Sequence, residues 1–179
     1  MIETRTKRLR ILHLELSDME LLTNENGKAE FNVKMGLNSS GESTKDERDF
    51  INGFCQTALG DMDNVMWYNL KQIVLVTENK IIGGICFKGG PNENGQVEIG
   101  YGLDCDNYFN KGYMSEAVEV IVKWAISQNG VSEVIAETDK ENVSSQRILE
   151  KISMIKYKET DNEFWWKLPK SNFLSESNL

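Results

Sequence analysis

The chain has 179 residues, 40% of them hydrophobic and 27% charged, with a net charge of −8. That size and mixture describe a globular domain with a substantial core, supplied with bulk by four Trp, seven Phe and five Tyr. The acidity argues against phosphate-backbone binding, which needs clustered Lys and Arg, and no apolar run approaches the roughly 20 residues that span a bilayer.

The expectation is therefore no nucleic acid and no membrane, with a field that favours a cationic partner such as an amine. Cys55, Cys86 and Cys105 form no C-x-x-C pair, so a zinc site is not expected. Odd in number and widely spaced, they fit reduced thiols in a cytoplasmic protein. The polar opening, Met1 to Arg10, has no apolar region of the kind a secretory leader carries.

In chain order, Thr4–Leu16 alternates and predicts one strand, with a slip of phase at Ile11-Leu12 that fits a bulge. Ser17 predicts a helix N-cap, with Glu20 as its capping-box partner. Residues 25–34 are ambiguous, and 37–44 are rich in Asn, Ser and Gly and predict a loop. A helix is predicted over 45–58, broken at 60–64. Three strands follow at 72–77, 80–88 and 96–103, separated by turn signals at Glu78-Asn79 and in the Gly89–Gly95 loop, and they read as an antiparallel meander. Gly83-Gly84 inside the second of these predicts a bulge or a close backbone approach.

Beyond Gly112 the period changes to 3.6. Met114, Ala117, Val118, Ile121, Val122 and Ala125 share one helical face, and Asn129-Gly130 ends it. A strand at 133–138 after that helix predicts a parallel crossover. A helix over 142–152 and a strand pair at 154–159 and 163–168 complete a single domain over 1–169, followed by a polar tail over 170–179. The fold class is α/β (α+β): a mixed, mostly antiparallel sheet flanked by helices.

The chemistry concentrates where the 96–103 strand runs through a short loop into the helix that begins at Gly112. The first N–H groups of a helix lack intrahelical partners and sit at the positive end of its dipole, which is the geometry that binds a diphosphate. A glycine there lets phosphate oxygens approach the backbone. The segment is neither a P-loop nor a three-glycine dinucleotide fingerprint. By itself it reads as a plain helix N-terminus.

Asn110-Lys111-Gly112-Tyr113-Met114-Ser115-Glu116-Ala117 resembles the acetyl-CoA diphosphate loop of the GNAT superfamily of N-acetyltransferases. Val97–Leu103 is similar to that family's fourth strand, and Glu137–Lys151 to its fifth strand and the following helix. Glu3–Leu9 resembles the first strand of the ribosomal-protein N-acetyltransferase (Rim-type) branch. The resemblance covers residues 3–168, with its motifs in the family's order. It departs from the Q/R-x-x-G-x-G/A pattern at Phe109 and at Met114.

The resemblance implies a sheet splayed between the fourth and fifth strands, with acetyl-CoA as acyl donor. An amine, on a small molecule or at a protein N-terminus, would attack the thioester directly in a ternary complex. It implies cofactor contacts from Leu103, Asp104, Asn110, Lys111, Gly112, Tyr113, Met114, Ser115 and Asn142. A homodimer is the family-level expectation. Glu98 is the first candidate for the base that takes the amine proton, and reads equally as an exposed strand carboxylate; Asp104 is the second. Many members carry a tyrosine acid on the helix after the fifth strand. Leu149 stands there in this chain, and Ser145 is the candidate that meets the leaving sulfur. The lone histidine, His13, reads as a surface residue of the first strand. The alternative reading is a GNAT-fold module that binds CoA or a small amine with little or no turnover.

Overall fold

The computed structural model describes residues 2–172. Its strands are β1 (Ile2–Arg5), β2 (Leu9–His13), β3 (Lys71–Leu75), β4 (Lys80–Phe87), β5 (Gln96–Leu103), β6 (Glu133–Asp139), β7 (Ile155–Glu159) and β8 (Glu163–Pro169). They form one eight-stranded sheet in the order β1-β2-β3-β4-β5-β6-β8-β7. Every neighbouring pair is antiparallel except β5 and β6, which run parallel. The helices are α1 (Leu16–Leu22), α2 (Gly27–Met35), α3 (Lys45–Gly60), α4 (Val65–Tyr68), α5 (Tyr113–Ser127) and α6 (Val143–Lys151). Of the tail expected at 170–179, residues 173–179 lie outside the described residues. Among the described residues, no helix is long and apolar enough to cross a membrane.

Two local expectations are corrected. The strand predicted over 4–16 is a hairpin of two, β1 turning back on β2 with Arg5 opposite Arg10. The slip at Ile11-Leu12 is not a bulge. It arises because β2 is covered on both faces, Leu9 and Ile11 in one core and Leu12 and Leu14 in the other. The first helix begins at Leu16 with Glu15 as its N-cap, and Asp18 rather than Glu20 returns its carboxylate to the cap, accepting from the Glu15 N–H at 3.2 Å. At α3 the signal is unambiguous: Thr44 and Glu47 exchange both bonds of a capping box, 3.1 and 2.7 Å.

The sheet has a core on each side. One contains the buried stripe of α5 (Met114, Ala117, Val118, Ile121, Val122, Ala125) and Leu149 of α6, packed on Ile73, Phe87, Val97 and Ile99. The other holds Met19 of α1, Phe31 of α2 and Ile51 of α3 against Leu12, Val74 and Ile81. Fully burying one such side chain stabilises by roughly 1.5–3 kcal/mol, so these stripes, rather than local propensity, fix the helices in place.

His13 is also corrected: it is buried, not a surface residue. Its ring meets Trp124 edge to face at 5.4 Å, and its Nε2 is 3.0 Å from Thr4 Oγ1. Burial, with some help from Lys71, lowers its pKa to about 4. Lys71, its register partner on β3, is wholly buried as well. The ammonium donates to the Asn69 carbonyl at 2.7 Å and lies 5.1 Å from the ring centroids of both Phe87 and Trp124. Burial lowers the Lys71 pKa to about 8.

Candidate active site

The site begins with an interruption in the sheet. β5 pairs with β6 only over Gln96, Val97 and Glu98, opposite Glu133, Val134 and Ile135. From Ile99 to Leu103, β5 continues its pairing with β4, while from Ala136 to Asp139, β6 pairs with β8. Two strand edges with unspent backbone donors and acceptors therefore face each other across a gap. β4 and β5 are held together there by Gly83, where a Cβ would stand 2.3 Å from the Gly102 carbonyl oxygen and only glycine fits. The sheet also shifts register between Ile73 and Val74 of β3, opposite Gly83 and Ile81. The Gly83-Gly84 signal thus marked both a bulge and a close approach.

One mouth of the gap is the start of α5. Asn110 (φ 57) and Gly112 (φ 75) both adopt left-handed backbone and turn the chain into the helix, for which Gly112 is an N-cap without a side-chain cap bond. A Cβ at Gly112 would meet only Arg8 Nη2 at 3.5 Å and Lys151 Nζ at 3.9 Å. Uncapped helix N–H groups thus sit beside an open turn flanked by two cations, which fits an anionic diphosphate. Met114 is buried in the core and leaves the turn clear, and Ser115 is buried too. Phe109 is half-exposed.

Arg8 was not anticipated, because the contact joins segments about a hundred residues apart. Its Nη1 donates to the Lys111 carbonyl at 2.9 Å, its Nε to Glu116 at 2.7 Å, and its guanidinium lies 4.6 Å from the Tyr113 ring centroid. The Glu116 carboxylate also accepts from the Thr6 hydroxyl and the Arg8 N–H. Burial pushes this carboxyl up, but the bonds from Thr6 and Arg8 outweigh it and hold the pKa below the ordinary value. The β1–β2 turn thereby braces the α5 turn.

The far edge of the gap carries α6. Asn142 caps it, its Oδ1 accepting from the Ser145 N–H at 3.0 Å. Leu149 is fully buried and offers the gap no polar group. The Ser145 hydroxyl is met by a residue that the sequence reading passed over: Tyr101 of β5, with its phenol oxygen 2.7 Å from Ser145 Oγ. Strand alternation puts Tyr101 on the same β5 face as Ile99 and Leu103, and that signal was available.

On the other face of the sheet a cavity of about 720 Å³ opens between α1–α3 and β3–β5. Phe50, Ile51 and Leu70 give it an apolar body; Asp46, Glu47 and Asp104, with Lys28, Lys71 and Lys88, give it charge. Asp104 sits at the end of β5. Burial raises its carboxyl above the ordinary range, with Lys28 opposing and Glu47 adding to the effect. Glu30 is exposed outside the cavity, and Trp67 is core, edge-on to Phe87. Glu98 lies at the closed end of the gap with its carboxylate 2.5 Å from Lys88 Nζ, and the same ammonium is 4.0 Å from Glu137. Lys88 borders the cavity.

The comparisons with known proteins agree with this layout. Residues 8–155 match the model of the acetyltransferase (GNAT) domain family. The chain is 27% identical over 167 residues to the uncharacterised N-acetyltransferase YjdG of Bacillus subtilis (strain 168), covering 92% of this chain and 97% of that one. The fold matches ribosomal-protein-S5-alanine acetyltransferase from Vibrio fischeri with TM-score 0.68 at 17% identity, over 96% of this chain and 98% of that one. It also matches a RimL ribosomal-protein alpha-N-acetyltransferase in complex with coenzyme A, TM-score 0.63 at 12% identity, over 92% of this chain and 95% of that one.

Proposed function

We propose, from the premise that this chain belongs to the GNAT acetyltransferase family, that it moves the acetyl group of acetyl-CoA to a primary amine on a small molecule or a protein N-terminus. The observation that carries the reading is the parting of β5 and β6 after Glu98 and Ile135, with the Gly112 turn at one mouth and the cavity on the opposite face. Acetyl-CoA, when bound, supplies an activated thioester. The N–H groups of Tyr113, Met114 and Ser115 would hold its diphosphate. Asn110, Lys111 and Gly112 shape the turn, and Arg8 and Lys151 supply local positive charge against an acidic mean field. The free edge of β5 at Leu103 would take the extended arm by strand-like bonds, with a backbone N–H there polarising the thioester carbonyl. Asn142 and Ser145 would close the far side.

The amine nitrogen gives its lone pair to the acyl carbon, and the carbon–sulfur pair leaves with sulfur, where a hydrogen bond from Ser145 would stabilise it. The nitrogen's proton goes to a carboxylate. Asp104 borders the cavity, and its raised pKa brings it nearer working pH, as suits a base. Glu98 is engaged by Lys88 and is the second candidate. The apolar cavity, with the Asp46, Glu47 and Asp104 carboxylates in its lining, fits an amine carried on an apolar body, and holding both reactants together supplies much of the acceleration.

The test is a thermal-shift titration with acetyl-CoA against ATP, followed by thiol release with polyamine, aminoglycoside and peptide acceptors. A saturable shift with acetyl-CoA alone, and turnover that falls at least tenfold in Asp104→Asn or Glu98→Gln, is the expected result. A shift without turnover on any amine would favour the second reading, a CoA-binding module, which the wholly buried Leu149 makes specific. No shift would remove both.

A further inference from the structure

The geometry points to Tyr101 as a positioning residue that sets the direction of the Ser145 hydroxyl, leaving the serine proton free to face the gap between β5 and β6. The inference rests on the proposed reading of that gap as the thioester site. Tyr101 lies three residues beyond Glu98, where β5 has lost β6 as a neighbour and keeps only β4, with Ile85 opposite it. Its phenol crosses to the first turn of α6, 2.7 Å from Ser145 Oγ and 3.4 Å from the Ser145 carbonyl oxygen. Asn142 fixes the Ser145 backbone from the other side.

Two hydroxyls 2.7 Å apart share one hydrogen bond, and either may be written as donor. Two features choose tyrosine. A phenol is the stronger donor and the weaker acceptor of the two, because its lone pair is drawn into the ring. The neighbouring carbonyl lies at 3.4 Å, too far to draw the phenol proton from the hydroxyl at 2.7 Å. Burial also pushes the phenol pKa up to about 12, so that proton stays in place through the neutral range. Ser145 then accepts from Tyr101, and its own proton has no claim from that side. A serine so oriented donates to whatever acceptor occupies the gap. In the proposed reaction that acceptor is the sulfur receiving the carbon–sulfur electron pair. Tyr101 transfers no proton; it makes the serine a donor of fixed aim.

The test uses Tyr101→Phe, Ser145→Ala and the double variant, with three readouts on the full chain. The first is the thermal shift with acetyl-CoA. The second is thiol release with the best acceptor of the amine panel, or with water. The third is the pKa of the thiol of bound CoA, followed by thiolate absorbance. A donor aimed at sulfur lowers that pKa, so each single variant should raise it by about one unit and slow kcat about tenfold, with KM for acetyl-CoA within twofold of wild type. The double variant should be no worse than Ser145→Ala, because Tyr101 acts through the serine. Overturning results are an unchanged bound-thiol pKa in Tyr101→Phe, or effects that multiply in the double variant. If wild type shows no acetyl-CoA shift, the thioester reading of the gap fails and this inference fails with it. A normal shift with an unaltered thiol pKa in Tyr101→Phe sinks the inference alone.

Discussion

Replacing Gly112 by alanine separates the conformational role of this residue from its role at the mouth of the gap. At φ 75 the backbone is left-handed, which costs an L-residue roughly 1–2 kcal/mol. Part of this is returned because alanine has less freedom to lose from the unfolded chain, about 0.4–1 kcal/mol. The new methyl would find Arg8 Nη2 at 3.5 Å and Lys151 Nζ at 3.9 Å, ordinary contact distances, so no steric penalty is added. The net loss is then about 1 kcal/mol, a fall in Tm of roughly 2–4 °C for a chain of this size. Ligand binding should suffer far more, because the methyl would stand where the proposed reading brings phosphate oxygens to the turn. At a hundred times its Kd, acetyl-CoA stabilises wild type by about 2.7 kcal/mol; a hundredfold weaker variant gains only about 0.4 kcal/mol at the same concentration. Gly36→Ala is the control: Gly36 has φ 62, ends α2, and has nothing within 4 Å of its would-be Cβ. Differential scanning fluorimetry with and without acetyl-CoA should show similar Tm losses for the two variants and loss of the ligand shift only for Gly112→Ala. An intact shift in Gly112→Ala would refute the placing of the diphosphate at this turn.

Lys71→Met should stabilise the protein at pH 7. The native amine has a pKa of about 8 against an ordinary 10.5, so between those values the unfolded chain binds more protons and native stability rises with pH; the variant's advantage, up to about 3 kcal/mol, should be full below pH 8 and vanish near pH 10.5 in urea melts. His13, with a pKa lowered to about 4 from 6.5, gives the opposite limb: its contribution is intact above pH 6.5 and is lost as pH falls to 4, so His13→Gln should flatten that part of the stability profile, and an unaltered acid limb would count against the burial argument. Gly83→Ala should lose well over 2 kcal/mol or fail to fold, because its Cβ would lie 2.3 Å from the Gly102 carbonyl oxygen and 2.8 Å from the Leu103 Cα; a soluble variant with wild-type Tm would mean that β4 and β5 are not so close.

What the sequence made legible followed from short-range periodicity. The β5 bounds, the α5 stripe and the helix start at Gly112 all depend on neighbours a few residues away. The GNAT resemblance then ordered these pieces into a splayed sheet. The misses have a common physical origin in distance along the chain. β1 and β2 looked like one strand because both alternate, and only their pairing, Thr4 opposite Ile11, reveals the hairpin. His13 looked exposed because nothing local announces Trp124, and Lys71 fell just outside the strand predicted over 72–77. Arg8 and Tyr101 act through Glu116 and Ser145, and only the folded sheet brings those pairs together.

Under the proposed reading an acidic chain must present a site for an anion and a site for an amine within a few strands. Local charges decide whether it can. At the α5 turn, Arg8 is only partly offset by Glu116, which it and Thr6 hold ionised, and Lys151 adds a second cation. On the opposite face Asp46, Glu47 and Asp104 line the cavity with Lys28, Lys71 and Lys88, so the carboxylates there act by position rather than by net charge. With a Debye length of about 8 Å at physiological salt, such local sets act more strongly than the mean charge of the molecule. Added salt should weaken acetyl-CoA binding even though the protein as a whole repels the ligand, and Arg8→Gln should reduce that salt dependence. A binding constant that strengthened with salt would mean that the mean field, not the Arg8 and Lys151 pair, governs the approach.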